Sequence, residues 1–308
     1  MLRRHVLQTL IGGTAAAGLA RVAPLWARDT APPTPLAAIP LSDSLTLITG
    51  AGANVVAARD RDALALVDGG LPERSGELLK LVARQMGSSH IRTLFNTHWH
   101  PQQTGSNERL GREGATIIAH ENTRLWLGYA NPVPRQSGTY GPLPPKARPN
   151  KTFFYNSEQL TIGDEPVEYG YLLQAHTDGD IYVYFRKSNV LVTGDAVSGA
   201  GWPIIDWHTG GWIVGMVEGL RKLIAVANDT TRVVPAQGPV LTKAHLVAQE
   251  KMYSIISLRL QRMIRKGLGP DEAVAKAPTA EYDAKWGDPK TFVAEAFESL
   301  WGHYAPDA

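Results

Sequence analysis

The order of apolar and polar residues divides the chain into two β-rich blocks, each followed by helices. In the first block, three short apolar runs separated by glycine-containing or charged turns (residues 45–49, 54–58 and 63–67) predict an antiparallel meander. After the turn Asp68-Gly69-Gly70, leucine and valine residues between positions 78 and 82 form the apolar stripe of a helix. Further strands are predicted over residues 91–96 and 116–119, and a short helix starts near Glu121.

The second block begins after an irregular segment, residues 131–150, which is too rich in proline for a helix or a central strand. This segment is either a lid over a substrate site or a plain surface loop. Strands are then predicted within residues 152–195 and over 231–235. Helices are predicted over residues 213–224, over a longer stretch in which Ala248, Met252, Ile256 and Leu260 face the core, and over 271–277 and 291–301.

Two histidines close the predicted strand at residues 91–96, in the sequence Thr97-His98-Trp99-His100. Two imidazoles two residues apart project from the same side of an extended backbone. Neutral imidazole is the commonest protein ligand of zinc, so this pair can hold one metal ion.

Two more residues with metal-binding chemistry stand at predicted strand ends. His176 lies in a turn between two strands, and Asp195 precedes a loop that contains glycine. A carboxylate beside a site with three histidines can bind the metal or orient a bound water. Taken singly, a histidine or aspartate at a strand end is more often a turn or capping residue.

Four short motifs occur in a fixed order along the chain, each at a predicted strand end. They are Val67-Asp68-Gly69-Gly70, His98-x-His100, Ala175-His176-Thr177-x-Gly179-Asp180 and Thr193-Gly194-Asp195. Together they resemble the metallo-β-lactamase-fold hydrolases, whose signature loop reads His-x-His-x-Asp-His. The resemblance and the order of elements both imply an α+β fold, a four-layer αββα sandwich.

The resemblance also assigns roles to these residues. It implies that His98, His100 and His176 form the first metal site and that Asp195 is the carboxylate that bridges two metals in active relatives. Asp68 would steady the histidine loop and thereby serve catalysis, although a plain Asp-Gly turn accounts for it equally well.

The chain departs from the family pattern at the second metal site. Gln102, Gln103 and Gln237 stand where the resemblance places an aspartate and two histidines. An amide oxygen is a poor zinc ligand, so a second zinc is expected to bind very weakly. Amides can instead hold a polar cavity together or bond to a water on the first zinc, but they cannot act as a general base. His208 is an extra imidazole that could compensate as a ligand, or a surface histidine.

These residues support two functions. A zinc ion held by three histidines with one open position lowers the pKa of its bound water toward about 7. Such a site suits a zinc hydrolase that cleaves a small ester, lactone or lactam with Asp195 as the base. The alternative is a non-catalytic periplasmic binding protein that keeps the fold and its pocket. Tryptophans near the motifs either wall an apolar pocket for a small molecule or pack in the interior; they are Trp99, Trp126, Trp202, Trp207 and Trp212.

The first 27 residues read as an export signal of the twin-arginine type. Arg3-Arg4 precedes a weakly apolar stretch, with small residues near Ala27 for cleavage, although a basic disordered terminus has a similar composition. We therefore expect a periplasmic or secreted protein, with residues 28–44 as a lead-in and 45–308 as one domain.

Composition excludes several classes of protein. Cleavage after Ala27 would remove three arginines and no acid, so the formal net charge would change from +2 to −1, and nothing then suggests nucleic acid binding. The chain has no cysteine, which excludes disulfides and thiolate ligands. Beyond the signal, no apolar run is long enough to span a membrane.

Overall fold

A computed structural model of the protein describes residues 34–304. The expected export signal over residues 1–27 lies outside the described residues. The strands are β1 (Ala37–Pro40), β2 (Leu45–Thr49), β3 (Val55–Asp60), β4 (Ala63–Val67), β5 (Ile91–Phe95), β6 (Thr116–His120), β7 (Asn131–Pro132), β8 (Thr139–Tyr140), β9 (Lys151–Phe153), β10 (Ser157–Ile162), β11 (Glu165–Tyr171), β12 (Ile181–Phe185), β13 (Val190–Gly194) and β14 (Arg232–Pro235). The α-helices are α1 (Ser75–Met86), α2 (Pro101–Thr104), α3 (Asn107–Arg112), α4 (Glu121–Trp126), α5 (Ile213–Val226), α6 (Lys243–Ile264), α7 (Pro270–Ala275), α8 (Ala280–Trp286) and α9 (Lys290–Tyr304).

The strands form two main sheets. The first has the order β1-β2-β3-β4-β5-β6-β9, antiparallel from β1 to β4 and parallel from β4 to β9. The predicted meander is confirmed in β2, β3 and β4. The second sheet has the order β10-β11-β12-β13-β14 and is antiparallel except between β13 and β14. Two-residue strands β7 and β8 pair within the proline-rich segment.

Three apolar layers join these elements. Between the sheets, alternate residues of both pack together, for example Phe95 and Tyr169, whose ring centroids lie 5.2 Å apart. The outer face of the first sheet is covered by α1, through Leu78 and Val82. The outer face of the second is covered by α5, α6 and α9. The predicted αββα sandwich is confirmed.

The structure differs from the sequence pattern at two places. β1 lies in the segment expected to be a lead-in, where it pairs at the sheet edge, Ala37 opposite Thr49. In α6, Ala248 is exposed and Gln249 is buried, so the predicted apolar face was wrong there. Gln249 can be buried because its side chain donates to the Ser198 carbonyl (2.8 Å) and accepts from the Ser198 amide (3.1 Å).

The proline-rich segment 131–150 packs directly on the histidine loop. Trp99 is fully buried against Leu127 and Val133. Arg135 donates two hydrogen bonds to the carboxylate of Glu295 on α9, at 2.8 and 2.7 Å. The segment is therefore anchored on both the histidine loop and the last helix. Within residues 34–304, no helix combines the length and the hydropathy that crossing a membrane requires.

Candidate metal centre

Loops that follow three strands bring four metal-binding side chains together. His98 and His100 follow β5, His176 follows β11 and Asp195 follows β13. Each offers one ligand atom, and these four atoms all lie within 4.8 Å of one another. The strand ends thus assemble three imidazoles and one carboxylate from both sheets, as the sequence motifs predicted.

The outer nitrogens of two histidines are bonded to acceptors outside the site. His100 Nε2 lies 3.0 Å from a carboxylate oxygen of Asp206, and His176 Nδ1 lies 2.8 Å from the carbonyl oxygen of Ile204. Because both partners only accept hydrogen bonds, each of these nitrogens carries the proton of its imidazole. The other nitrogen of each ring faces the site.

His98 is oriented by a chain of hydrogen bonds that ends on Asp68. The amide and hydroxyl of Thr97 donate to the two carboxylate oxygens of Asp68, at 2.8 and 2.9 Å. The hydroxyl proton is thereby used, so Thr97 Oγ1 accepts from His98 Nδ1 at 3.3 Å. Burial, more than the neighbouring imidazoles, lowers the pKa of His98 well below its ordinary value, so this ring is neutral with Nε2 facing the site.

This arrangement of nitrogens fits a metal ion. The Nδ1 of His100 and the Nε2 of His176 lie 3.1 Å apart in the interior. Within the described part of the chain, His98 Nε2 is buried and has no hydrogen-bond partner. The three rings stand nearly perpendicular to each other, with centroids 4.7 to 4.8 Å apart. In their neutral forms the three rings would each offer one lone pair to a single cation.

Three carboxylates lie within 4 Å of the histidines, but they differ in accessibility. Asp180 and Asp206 have side chains only 2% and 1% exposed, whereas Asp195 is 29% exposed and its Oδ2 lies 3.5 Å from His98 Nε2. Burial raises the pKa of Asp180 to about 7. Asp195 is thus the carboxylate of the three that solvent and a substrate can reach.

Asp195 is placed by a close approach of two loops. The preceding residue, Gly194, has φ +56°, and a Cβ there would lie 2.6 Å from the Thr97 hydroxyl oxygen. Glycine is therefore required for β13 to end against the histidine loop. On its other side, Asp195 Oδ2 accepts a hydrogen bond of 3.3 Å from the side-chain amide of Gln103.

The three glutamines do not behave alike. Gln103 is fully buried beside Asp195. Gln102 is half-buried, and its Oε1 has no hydrogen-bond partner within residues 34–304. Gln237 is exposed and donates to the carbonyl of Gly52, in the turn between β2 and β3. His208 is also exposed and stacks on Trp207, outside the group of four ligands.

Asp206 is a residue that the sequence reasoning passed over. It accepts from His100 and from the hydroxyl of Thr209, which in turn accepts from the indole nitrogen of Trp99 (3.0 Å). Burial acts to raise the pKa of Asp206, but the hydrogen bonds from His100 and Thr209 help to hold it below its usual range. A signal was present, because an aspartate between Ile205 and Trp207 in an apolar run must find a partner inside the fold.

The tryptophans near the motifs have different environments. Trp99 and Trp202 are buried, and Trp126 donates to Asp178 at 2.7 Å. Trp207 is 38% exposed and borders a cavity of about 230 Å³. The cavity is also lined by residues of the proline-rich segment, the loop before Trp207 and α9, which include Pro132, Val133, Arg135, Ile205, Asp206 and Glu295.

Comparison with known proteins agrees with this architecture. Residues 48–240 match the family model described as the metallo-beta-lactamase superfamily. A metallo-beta-lactamase from Pontibacter korlensis superimposes with a TM-score of 0.58 at 18% identity, over 71% of this chain and 99% of that protein. The stereoselective inverting sec-alkylsulfatase Pisa1 from Pseudomonas sp. superimposes with a TM-score of 0.66 at 14% identity, over 89% of this chain and 51% of the sulfatase, so the chain spans about half of that enzyme. A search of curated proteins found no match. At these identities the likenesses show the fold alone.

Proposed function

Because the chain belongs to the metallo-beta-lactamase superfamily, we propose that it is a hydrolase that uses one zinc ion to cleave a small ester, lactone or lactam. The observation that carries this proposal is the convergence of one potential ligand atom from each of His98, His100, His176 and Asp195, all within 4.8 Å of one another. Among them, His98 Nε2 is buried and has no hydrogen-bond partner within residues 34–304, so it is available to a cation.

The donor set favours zinc over harder cations. Three neutral imidazoles and one carboxylate suit zinc, whereas calcium and magnesium prefer oxygen ligands throughout. Bound zinc would supply Lewis acidity, which polarises a substrate carbonyl and makes water more acidic. His98, His100 and His176 would hold the ion, with Asp195 beside them.

The protein's own residues would then handle the proton. Asp195 is the accessible carboxylate beside the histidines, so it would accept the proton of the attacking water and return it to the leaving group. The amide of Gln103 would keep that carboxylate in place. Asp68 and Asp206 would act through other residues, because their hydrogen bonds fix the rings of His98 and His100.

Metal content tests the proposal most directly. We expect about one zinc per chain in the purified mature protein and loss of that zinc in His98→Ala, with His208→Ala as a control that keeps it. A folded wild-type protein without metal would refute the zinc hydrolase and favour the non-catalytic binding protein. Two zinc ions per chain would refute the single-metal site.

Given one zinc, a substrate screen would identify the reaction. It should cover small esters, lactones and lactams, and a secondary alkyl sulfate because a sec-alkylsulfatase shares the fold. Hydrolysis that Asp195→Ala leaves undiminished would exclude Asp195 as the base.

We also propose export to the periplasm, supported by Arg3-Arg4 and the apolar stretch that follows. N-terminal sequencing of protein from a periplasmic fraction should begin near Arg28. Replacing both arginines with lysine should keep the protein inside the cell, and export that continues unchanged would contradict the twin-arginine route.

A further inference from the structure

Gln103 differs from the other two glutamines in what its side chain touches. We propose that its amide takes the place of a second cation: it holds the Asp195 carboxylate beside His98 and thereby confines the site to one metal. This inference rests on the proposed zinc site and assigns Gln103 as a positioning residue for Asp195. Gln103 would thus supply an N–H dipole in place of the positive charge of a second cation.

The backbone around Gln103 leaves its side chain little freedom. Its amide nitrogen donates to the His100 carbonyl at 3.0 Å. Its carbonyl oxygen accepts from the backbone nitrogen of Gly69 at 2.7 Å and from the side-chain amide of Asn96 at 3.1 Å. The side chain is fully buried, so it cannot move into solvent. Gln103 is therefore tied to the same histidine loop that carries the metal ligands.

Asp195 meets a hydrogen-bond donor on the side where Gln103 lies. Its Oδ2 is 3.5 Å from His98 Nε2, and that nitrogen makes no hydrogen bond within residues 34–304. The Gln103 Nε2 reaches the same oxygen at 3.3 Å and provides a donor. This orientation follows from the partner, since a carboxylate oxygen accepts hydrogen bonds and the amide oxygen would repel it.

This orientation has a cost that supports a specific role. The Gln103 Oε1 is buried without a hydrogen-bond partner within residues 34–304. A buried oxygen without a hydrogen bond is unfavourable. Such an oxygen is retained where the NH₂ of the same amide is needed as a donor. The N–H directed at Asp195 also places the positive end of a dipole where a second cation would need a ligand. The same amide therefore positions Asp195 and excludes a second metal.

Gln237 provides a matched comparison within the chain. By the resemblance it also stands at a ligand position of the second site, but its side chain is exposed and bonded to the Gly52 carbonyl. Its amide has no contact with Asp195 among the described hydrogen bonds. The same substitution at Gln103 and at Gln237 introduces the same side chain, but only the change at Gln103 removes a hydrogen bond to Asp195. A difference between the two variants should thus report on Asp195.

The first experiment counts zinc in Gln103→Glu and Gln237→Glu. Gln103→Glu keeps the shape of the side chain but replaces the N–H with a carboxylate oxygen, so Asp195 and the new acid can share a cation. We expect zinc to rise from about one to about two per chain in Gln103→Glu and to stay at about one in Gln237→Glu. A folded Gln103→Glu protein that retains one zinc would overturn the inference.

A second variant covers the case in which Gln103→Glu does not fold. Gln103→Met has a similar length and no amide, so Asp195 loses its donor and can turn toward the bound ion. With Co²⁺ in place of zinc, we expect the visible absorption of Gln103→Met to differ from the wild type and that of Gln237→Met to match it. Spectra that superimpose for all three proteins would overturn the positioning role. Wild-type protein without metal would instead refute the proposed function itself.

Discussion

Replacing Asp206 should weaken zinc binding although Asp206 would not touch the ion. Its carboxylate accepts the proton of His100 at 3.0 Å, and its side chain is 1% exposed. In Asp206→Ala the N–H of His100 loses this acceptor, and the ring is free to carry its proton on Nδ1, the nitrogen that faces the metal site. That tautomer cannot bind a metal.

The size of the effect follows from the loss of one outer hydrogen bond to a metal-binding histidine. Such losses weaken metal binding by about 10- to 100-fold, which corresponds to about 1.4 to 2.8 kcal/mol. Asp206→Ala should lie near the upper value, because it removes both the charge and the acceptor. Asp206→Asn keeps an oxygen that can accept from His100 and removes only the charge, so we expect a loss near tenfold.

Competition with a chromophoric chelator would measure the zinc dissociation constants. Glu168→Gln is the matched control for Asp206→Asn, because Glu168 is also a buried carboxylate. It lies on β11 and is hydrogen-bonded to Tyr182 on β12 and to Arg186, the residue after β12, and to none of the three histidines. Its zinc affinity should equal that of the wild type. If Asp206→Ala binds zinc within twofold of the wild type, the assignment of the His100 proton is wrong.

Three further predictions concern stability. Gly194→Ala places a Cβ 2.6 Å from the Thr97 hydroxyl at φ +56° and should lower the free energy of unfolding by about 1 to 3 kcal/mol in urea titrations; a loss within error of zero would contradict the close approach. Burial acts to raise the pKa of Glu168, but its hydrogen bonds lower the pKa overall. Its contribution to stability should therefore be present above about pH 5 and disappear as the pH falls through its folded pKa. The melting temperatures of wild type and Glu168→Gln should converge in acid, and a constant difference would refute this. Arg135→Met breaks the ion pair with Glu295 and should speed limited proteolysis within residues 131–150, while unchanged cleavage would show that apolar packing alone anchors the segment.

Residues that are bonded to distant partners were the hardest to find from sequence. The ligands His98, His100 and His176 stand in short motifs at strand ends, and strand ends can be located from local periodicity. Asp206 lies in no such motif, and its partner His100 is 106 residues earlier in the chain. Its only local sign was a charged residue among apolar neighbours.

The glutamines illustrate a different limit. Sequence alone specifies that positions 102, 103 and 237 are amides, which bind zinc poorly. It does not specify which amide meets a carboxylate, because that depends on how the loops after β5, β13 and β14 approach one another. In the structure Gln103 contacts Asp195, and Gln237 turns to Gly52.

The sequence by itself determined the types of donor group, their order along the chain and the two β-rich blocks that carry them. These are properties of short segments, in which side-chain chemistry and hydrophobic period are local. The tertiary structure decided which nitrogen of each histidine faces the site, which carboxylate is accessible and which glutamine lies beside Asp195. Those features depend on contacts between residues far apart in sequence, which arise only when the two sheets pack face to face.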